Sequence, residues 1–98
     1  MDIQKTENGN EVALAVSGCL DTASTPEFAS ALEGVGAGKT VVVDFTGTEF
    51  IASSALRQLV SAKKRFDAAG GRIVLAGMNE VVADVFAVTG LSDVFEIR

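Results

Sequence analysis

Two adjacent hydroxyls, Ser53 and Ser54, sit in the stretch "VVVDFTGTEFIASSALRQL", Val41 to Leu59, between a dense β-branched run and the start of a helical pattern. A serine pair in that setting can do two kinds of work. One serine can cap the helix, its hydroxyl accepting a first-turn N–H for ~1 kcal/mol. That accounts for one hydroxyl, not two. A hydroxyl at a helix N-terminus, just past the carboxyl end of a buried strand, also lies where α/β sheets place their ligands. A phosphoryl group added there would meet free N–H donors and the positive end of the helix dipole. It would bring roughly −1.5 to −2 charge and three acceptor oxygens, enough to repel a docked partner without refolding. The residues alone leave both readings open. Arg57, one turn on, is placed to pair with a phosphate or a partner carboxylate, or to be a solvated surface charge.

Other chemistry is scarce. The chain has no histidine, so Ser-His-Asp and Cys-His catalysis are impossible and the usual metal ligand is missing. There is no phosphate-binding G-x-x-x-x-G-K-[ST] loop, and "GVGAG" precedes a strand instead of opening a helix. Carboxylates such as Asp21 and Asp44 are not fixed across one cleft by any spacing. A ligand at the strand ends is the one enzymatic reading left, and it rests on general α/β site logic alone. A net charge of −5 offers no field that draws nucleic acid or anionic lipid, so the expected partner is protein. Six Phe without Trp or Tyr give no stacking platform, and the phenylalanines and Met78 are expected in the core or at its rim. No apolar run approaches the ~18 residues of a membrane span, and Met1 to Lys5 lacks a signal-peptide layout, so a cytoplasmic protein without membrane insertion is expected. The lone Cys19 suits a reducing compartment and a buried, small-hydrophobe role. Lys63, Lys64 and Arg65 read as a solvated helix face.

Ninety-eight residues, 48% of them hydrophobic, suffice for one core, and a single domain over residues 1–98 is expected. Ile3, Val12, Leu14 and Val16 alternate around Asn8-Gly9-Asn10 and predict an antiparallel hairpin. Thr25 as cap, Pro26 in first position and Glu27 predict a helix to about Glu33, which "GVGAGK" then breaks. Thr40 to Phe45 is apolar on both faces, as a strand covered on both sides would be, and Gly47 suggests a turn after it. Leu56, Leu59, Val60 and Phe66 define a helix over roughly 54–69, ended by Gly70-Gly71. Arg72 to Gly77 predicts a strand. Asn79 caps a third helix with Val82, Val85 and Phe86 inward, Gly90 closes it, and Val94 to Ile97 is a last strand. At its strand end, Asp44 is expected to accept backbone N–H groups of the following loop. The fold class is α/β: one small domain with a mixed, mostly parallel open sheet of about five strands, an N-terminal antiparallel hairpin and three helices.

With "SGCLD" after a strand, "VVVDFTGTEFIASSALRQLVSAKKRF" on strand, loop and helix, "GGRIVLAG" on the next strand and "VFAVTGLSDVFEI" at the end, nearly the whole chain resembles the STAS domain family. More narrowly, it resembles the bacterial anti-sigma factor antagonists. Asp44, Phe45 and Thr46 match the family's strand end, and Phe50 and Ile51 its aromatic-aliphatic pair. The resemblance implies that Ser53 is the phosphoacceptor. Ser54 becomes the small neighbour that caps the helix and the alternate acceptor, and Asp21 the acidic residue of the G-x-L-D stretch near the partner surface. Asp21, Ala52, Ser53, Ser54 and Arg57 are the implied partner-binding residues. Ala52 stands where an acidic or hydroxyl residue is usual. Ala55 stands where glycine is usual, and its methyl would stiffen the first turn and crowd an approaching kinase. The chain stops after its last strand, where many members append a further helix. The implied activity is to bind, when unmodified, an anti-sigma factor that is also a serine kinase, so releasing a sigma factor. Phosphorylation at Ser53 ends the binding and a phosphatase restores it. The kinase supplies nucleotide and magnesium, so no cofactor is expected in this chain. The alternative is a STAS-type subunit of another assembly, a stressosome-like scaffold or the cytosolic partner of a lipid-transport ATPase.

Overall fold

Gly9 takes a left-handed φ of 64° and closes a two-residue turn in which Asn8 faces Glu11. In the computed structural model, which describes every residue from Met1 to Arg98, this turn joins β1 (Asp2–Asn8) to β2 (Glu11–Leu20). The chain continues through α1 (Thr25–Glu33), β3 (Thr40–Ile51), α2 (Ser53–Ala69), β4 (Arg72–Ala76) and α3 (Glu80–Val88). A short 3-10 turn at Leu91–Asp93 and β5 (Glu96–Ile97) complete it. The five strands lie in the order β1-β2-β3-β4-β5, with β1 and β2 antiparallel and every other pair parallel, as the patterning predicts.

That order decides where the core sits. Each right-handed crossover advances one strand in the same direction, which places α1, α2 and α3 on one face of the sheet. Val12, Leu14 and Val16 of β2, Val41, Val43 and Phe45 of β3, and Ile73 and Leu75 of β4 point to that face. They form a single core with Phe28, Leu32, Leu59, Phe66 and Phe86 from the helices. Phe86 packs between Phe45 and Phe95, at ring-centroid separations of 6.1 and 6.2 Å. The other face differs from the expectation that β3 is covered on both sides. Val42 and Val74 are buried there outside the core cluster, with no helix above them. They share that face with an Arg72–Glu96 ion pair and an Arg98–Glu11 pair at 3.2 Å.

β3 runs to Ile51 and does not turn at Gly47. Between Ala15/Ser17 and again between Gly18/Cys19 of β2 the register slips, each time with one extra residue on β3. Its inward residues after Phe45 are therefore Thr48 and Ile51, three apart instead of two. Asp44 fixes the first bulge. Its Oδ1 accepts the Thr46 N–H at 2.9 Å and the Thr46 hydroxyl at 2.6 Å, the backbone role expected of it. Buried Thr48 donates its hydroxyl to the Val16 carbonyl at 2.8 Å, and its own carbonyl accepts the Asn79 side-chain amide at 2.6 Å. Asn79 also caps α3, its Oδ1 accepting the Val82 N–H at 3.0 Å. The bulged half of β3 is thereby tied to β2 on one side and α3 on the other.

α2 ends in a left-handed Gly70 at φ 82°, and Gly71 then passes so close to the α1–β3 loop that a Cβ would lie 2.0 Å from the Ala37 carbonyl oxygen. Around Gly70 the space is open. Gly71→Ala is expected to destabilise the domain by ~2–3 kcal/mol through overpacking, and Gly70→Ala by only ~1 kcal/mol through backbone strain. Urea unfolding of the two variants checks that order.

Candidate functional site

The carboxyl ends of β2 and β3 lie side by side, with Leu20 opposite Ile51, and the candidate residues leave the sheet together there. The Ala52 N–H donates to the Leu20 carbonyl at 2.8 Å, so extended backbone persists to Ala52 and the helix begins at the next residue. Ala52, at φ −85° and ψ 157°, is the N-cap. Its carbonyl accepts the Ala55 and Leu56 N–H groups at 3.0 and 3.2 Å, but its side chain has no atom that can accept one. The expectation of a serine cap is thus corrected. Ser53 and Ser54 are the first two residues inside α2, because the strand delivers the chain one residue earlier than the apolar periodicity suggests. Their N–H groups are the ones left over in the first turn.

The two hydroxyls differ in surroundings. Ser53 is exposed. Ser54 is half-buried, with its Oγ 2.9 Å from Thr25 Oγ1. Thr25 spends its one hydroxyl proton on the Asp21 carbonyl at 2.8 Å, so the Ser54 hydroxyl must be the donor in that pair. Thr25 is therefore not the cap of α1 that the sequence suggests. It is the first helical residue, buried, and it joins the start of α1 to the start of α2. Pattern reading missed this contact because a threonine before proline so often caps.

Ser24 occupies the cap position of α1, its carbonyl accepting the Glu27 and Phe28 N–H groups, but its side chain makes no bond into the helix. It exchanges bonds with Asp21 instead. Asp21 Oδ1 accepts the Ser24 N–H at 2.9 Å, and Ser24 Oγ accepts the Asp21 N–H at 3.0 Å. The Ser24 backbone N–H first, and its hydroxyl, 2.9 Å from the same Oδ1, second, hold the exposed Asp21 carboxyl below the usual aspartate range. Asp21 reaches the serine pair through Thr25, so the structure brings it and Ser53–Ser54 into one neighbourhood.

Arg57 is exposed, and with Ser53, Leu56, Val60, Thr89 and Leu91 it lines an open groove of about 440 Å³ between α2 and the end of α3. Ala55 is fully buried, so its methyl points into the core and away from anything approaching Ser53, contrary to the crowding expected of it. Of the phenylalanines, Phe50 is the exception to core placement at 49% exposed, three residues before Ser53. Cys19 is exposed, not buried: Leu20 takes the inward position next to it. The basic run is only partly solvated. Lys63 pairs with Asp67 at 3.1 Å, and the half-buried Arg65 donates to the Leu32 carbonyl at 3.3 Å while lying 5.2 Å from the Phe66 ring centroid.

Residues 2–98 match the STAS domain family model. The chain belongs to that family. An anti-sigma-B factor antagonist of Listeria monocytogenes is 29% identical to this STAS domain over 96 residues, covering 96% of this chain and 84% of that protein. Among solved structures, an anti-sigma factor antagonist from Mycobacterium paratuberculosis superposes with a TM-score of 0.87 at 20% identity, over 98% of this chain and 83% of that one. The Bacillus cell fate determinant SpoIIAA in its phosphorylated form superposes with a TM-score of 0.75 at 18% identity, over 99% and 91%. These structures share the fold with this STAS domain. No helix in it is long and apolar enough to cross a membrane.

Two measurements probe this geometry. The stability that Asp21 contributes is present above the ordinary aspartate value of 3.8 and is lost as pH falls through its lowered pKa. Its carboxyl carbon should therefore titrate below 3.8 by NMR, with the Ser24 amide moving in step, and Asp21→Asn should abolish that movement. Ala52→Ser supplies the missing cap and should stabilise the domain by ~1 kcal/mol in chemical denaturation.

Proposed function

We propose that this STAS domain is a cytoplasmic anti-sigma factor antagonist. Unmodified, it binds an anti-sigma factor that is also a serine kinase and so frees a sigma factor. Phosphorylation at Ser53 ends the binding and a phosphatase restores it. The observation that carries this reading is the contrast within the serine pair: Ser53 is exposed at the first residue of α2, whereas Ser54 is half-buried and tied to Thr25. The family membership and the likeness to an anti-sigma-B factor antagonist support the same reading.

The physics of the switch is electrostatic. Before modification the partner meets a neutral hydroxyl set among Asp21, Ala52, Ser54 and Arg57, with the exposed ring of Phe50 close by in the chain. A phosphate on Ser53 lies beside the unclaimed N–H groups of Ser53 and Ser54 and within one turn of Arg57, so the domain accommodates it locally. The partner, whose surface matched an uncharged side chain, then faces a dianion that it must desolvate or expel. This domain is the kinase's substrate and contributes no catalytic group. Nucleotide and magnesium belong to the kinase.

Incubation with the anti-sigma factor kinase encoded nearest its gene, with Mg-ATP, should place one phosphate on Ser53 by mass spectrometry. Ser53→Ala should stay unmodified and still bind, and Ser53→Asp should weaken binding by at least about tenfold. Phosphate elsewhere or none overturns the switch. Recovery of a transport ATPase in place of a kinase in a pull-down would assign the domain to another assembly.

A further inference from the structure

We propose that α3 is the docking face for a basic amphipathic helix presented by a protein partner. This goes beyond the switch at Ser53 and rests on different residues. α3 reads EVVADVFAV, and its core contact is complete with Val82 and Phe86, both 0% exposed. A surface helix normally turns polar residues outward once its inward stripe is filled. This one does not. Val81, Val85 and Val88 recur at the spacing of a second stripe on its flank, with Val81 55% and Val88 79% exposed and Val85 half-buried. A second apolar stripe that the domain itself leaves uncovered is the complement of a helix laid alongside it, whose anchors recur at the same spacing.

The charges around the stripe select the occupant. Glu80 and Asp84 lie on α3 beside the valines and Asp93 follows in the 3-10 turn, while no Lys or Arg occurs anywhere from Ile73 to Ile97. Such a rim attracts a basic partner and repels an acidic one. A second copy pairing α3 with α3 would set like charges against each other, and an anionic lipid surface would meet the same repulsion, so the occupant we propose is a basic helix of another protein. The stripe ends at Val88, and the next residues, Thr89 and Leu91, line the groove that holds Ser53 and Arg57. A helix on α3 therefore adjoins the switch without depending on it.

The test is an NMR titration of the whole 98-residue chain with a synthetic Leu/Lys amphipathic helix of about 18 residues, and with a Leu/Glu helix of the same pattern. The Leu/Lys peptide should bind saturably, with its largest amide shifts at Val81, Asp84, Val85 and Val88, and the Leu/Glu peptide should not. Val81→Ser with Val88→Ser, both at exposed positions that leave the core intact, should weaken binding by about tenfold. Asp84→Lys should weaken it comparably, whereas Glu33→Lys, which reverses an exposed charge on α1, should change it by less than about twofold. Shifts spread over every acidic surface, equal loss in the Glu33 variant, or no saturable binding would overturn the proposal.

Discussion

One backbone hydrogen bond fixes the geometry on which the candidate site depends. The Leu20 carbonyl, at the last residue of β2, accepts the Ala52 N–H at 2.8 Å, one residue past the end of β3. It clamps the exits of β2 and β3 together, so α1 and α2 must start from adjacent points. Asp21 leaves one exit and Ser53 the other. Thr25 then closes the gap, its hydroxyl bound to the Asp21 carbonyl and to the Ser54 hydroxyl at once. Because the clamp is made of backbone, it tolerates alanine at position 52, where a side-chain cap would otherwise set the start of the helix.

Local signals carried most of the fold. The hairpin at Gly9, the Asn79 cap, the glycine stop at Gly70 and the βαβ alternation each follow from one residue's conformational needs or from a period of 2 or 3.6. The extent of β3 was hidden because its two bulges replace the alternating pattern with spacings of three, and period-2 reading ends where alternation ends. The helix-free setting of Val42 and Val74 was hidden for another reason: a buried β-branched run reads the same whether or not a helix lies above it.

The candidate site was legible in its parts and not in its wiring. A serine pair between strand and helix can be seen in the chain, but which hydroxyl faces water depends on a residue 29 positions away, Thr25, whose own proton is already committed. A threonine beside a proline gives no local hint of that contact. Exposed Cys19 and Phe50 share this cause: they are register partners across β2 and β3, in the segment where the second bulge resets the inward positions.

The strand order has a consequence for how the molecule is made. Each strand after the hairpin lands beside the one synthesised just before it, with a single helix between them and nothing inserted later. A chain emerging from the ribosome can therefore lay down the sheet in order of synthesis, each helix roofing the strand pair already in place. β5 adds a two-residue edge, and Ser53 with Asp21, Thr25 and Ser54 is framed before β4 exists.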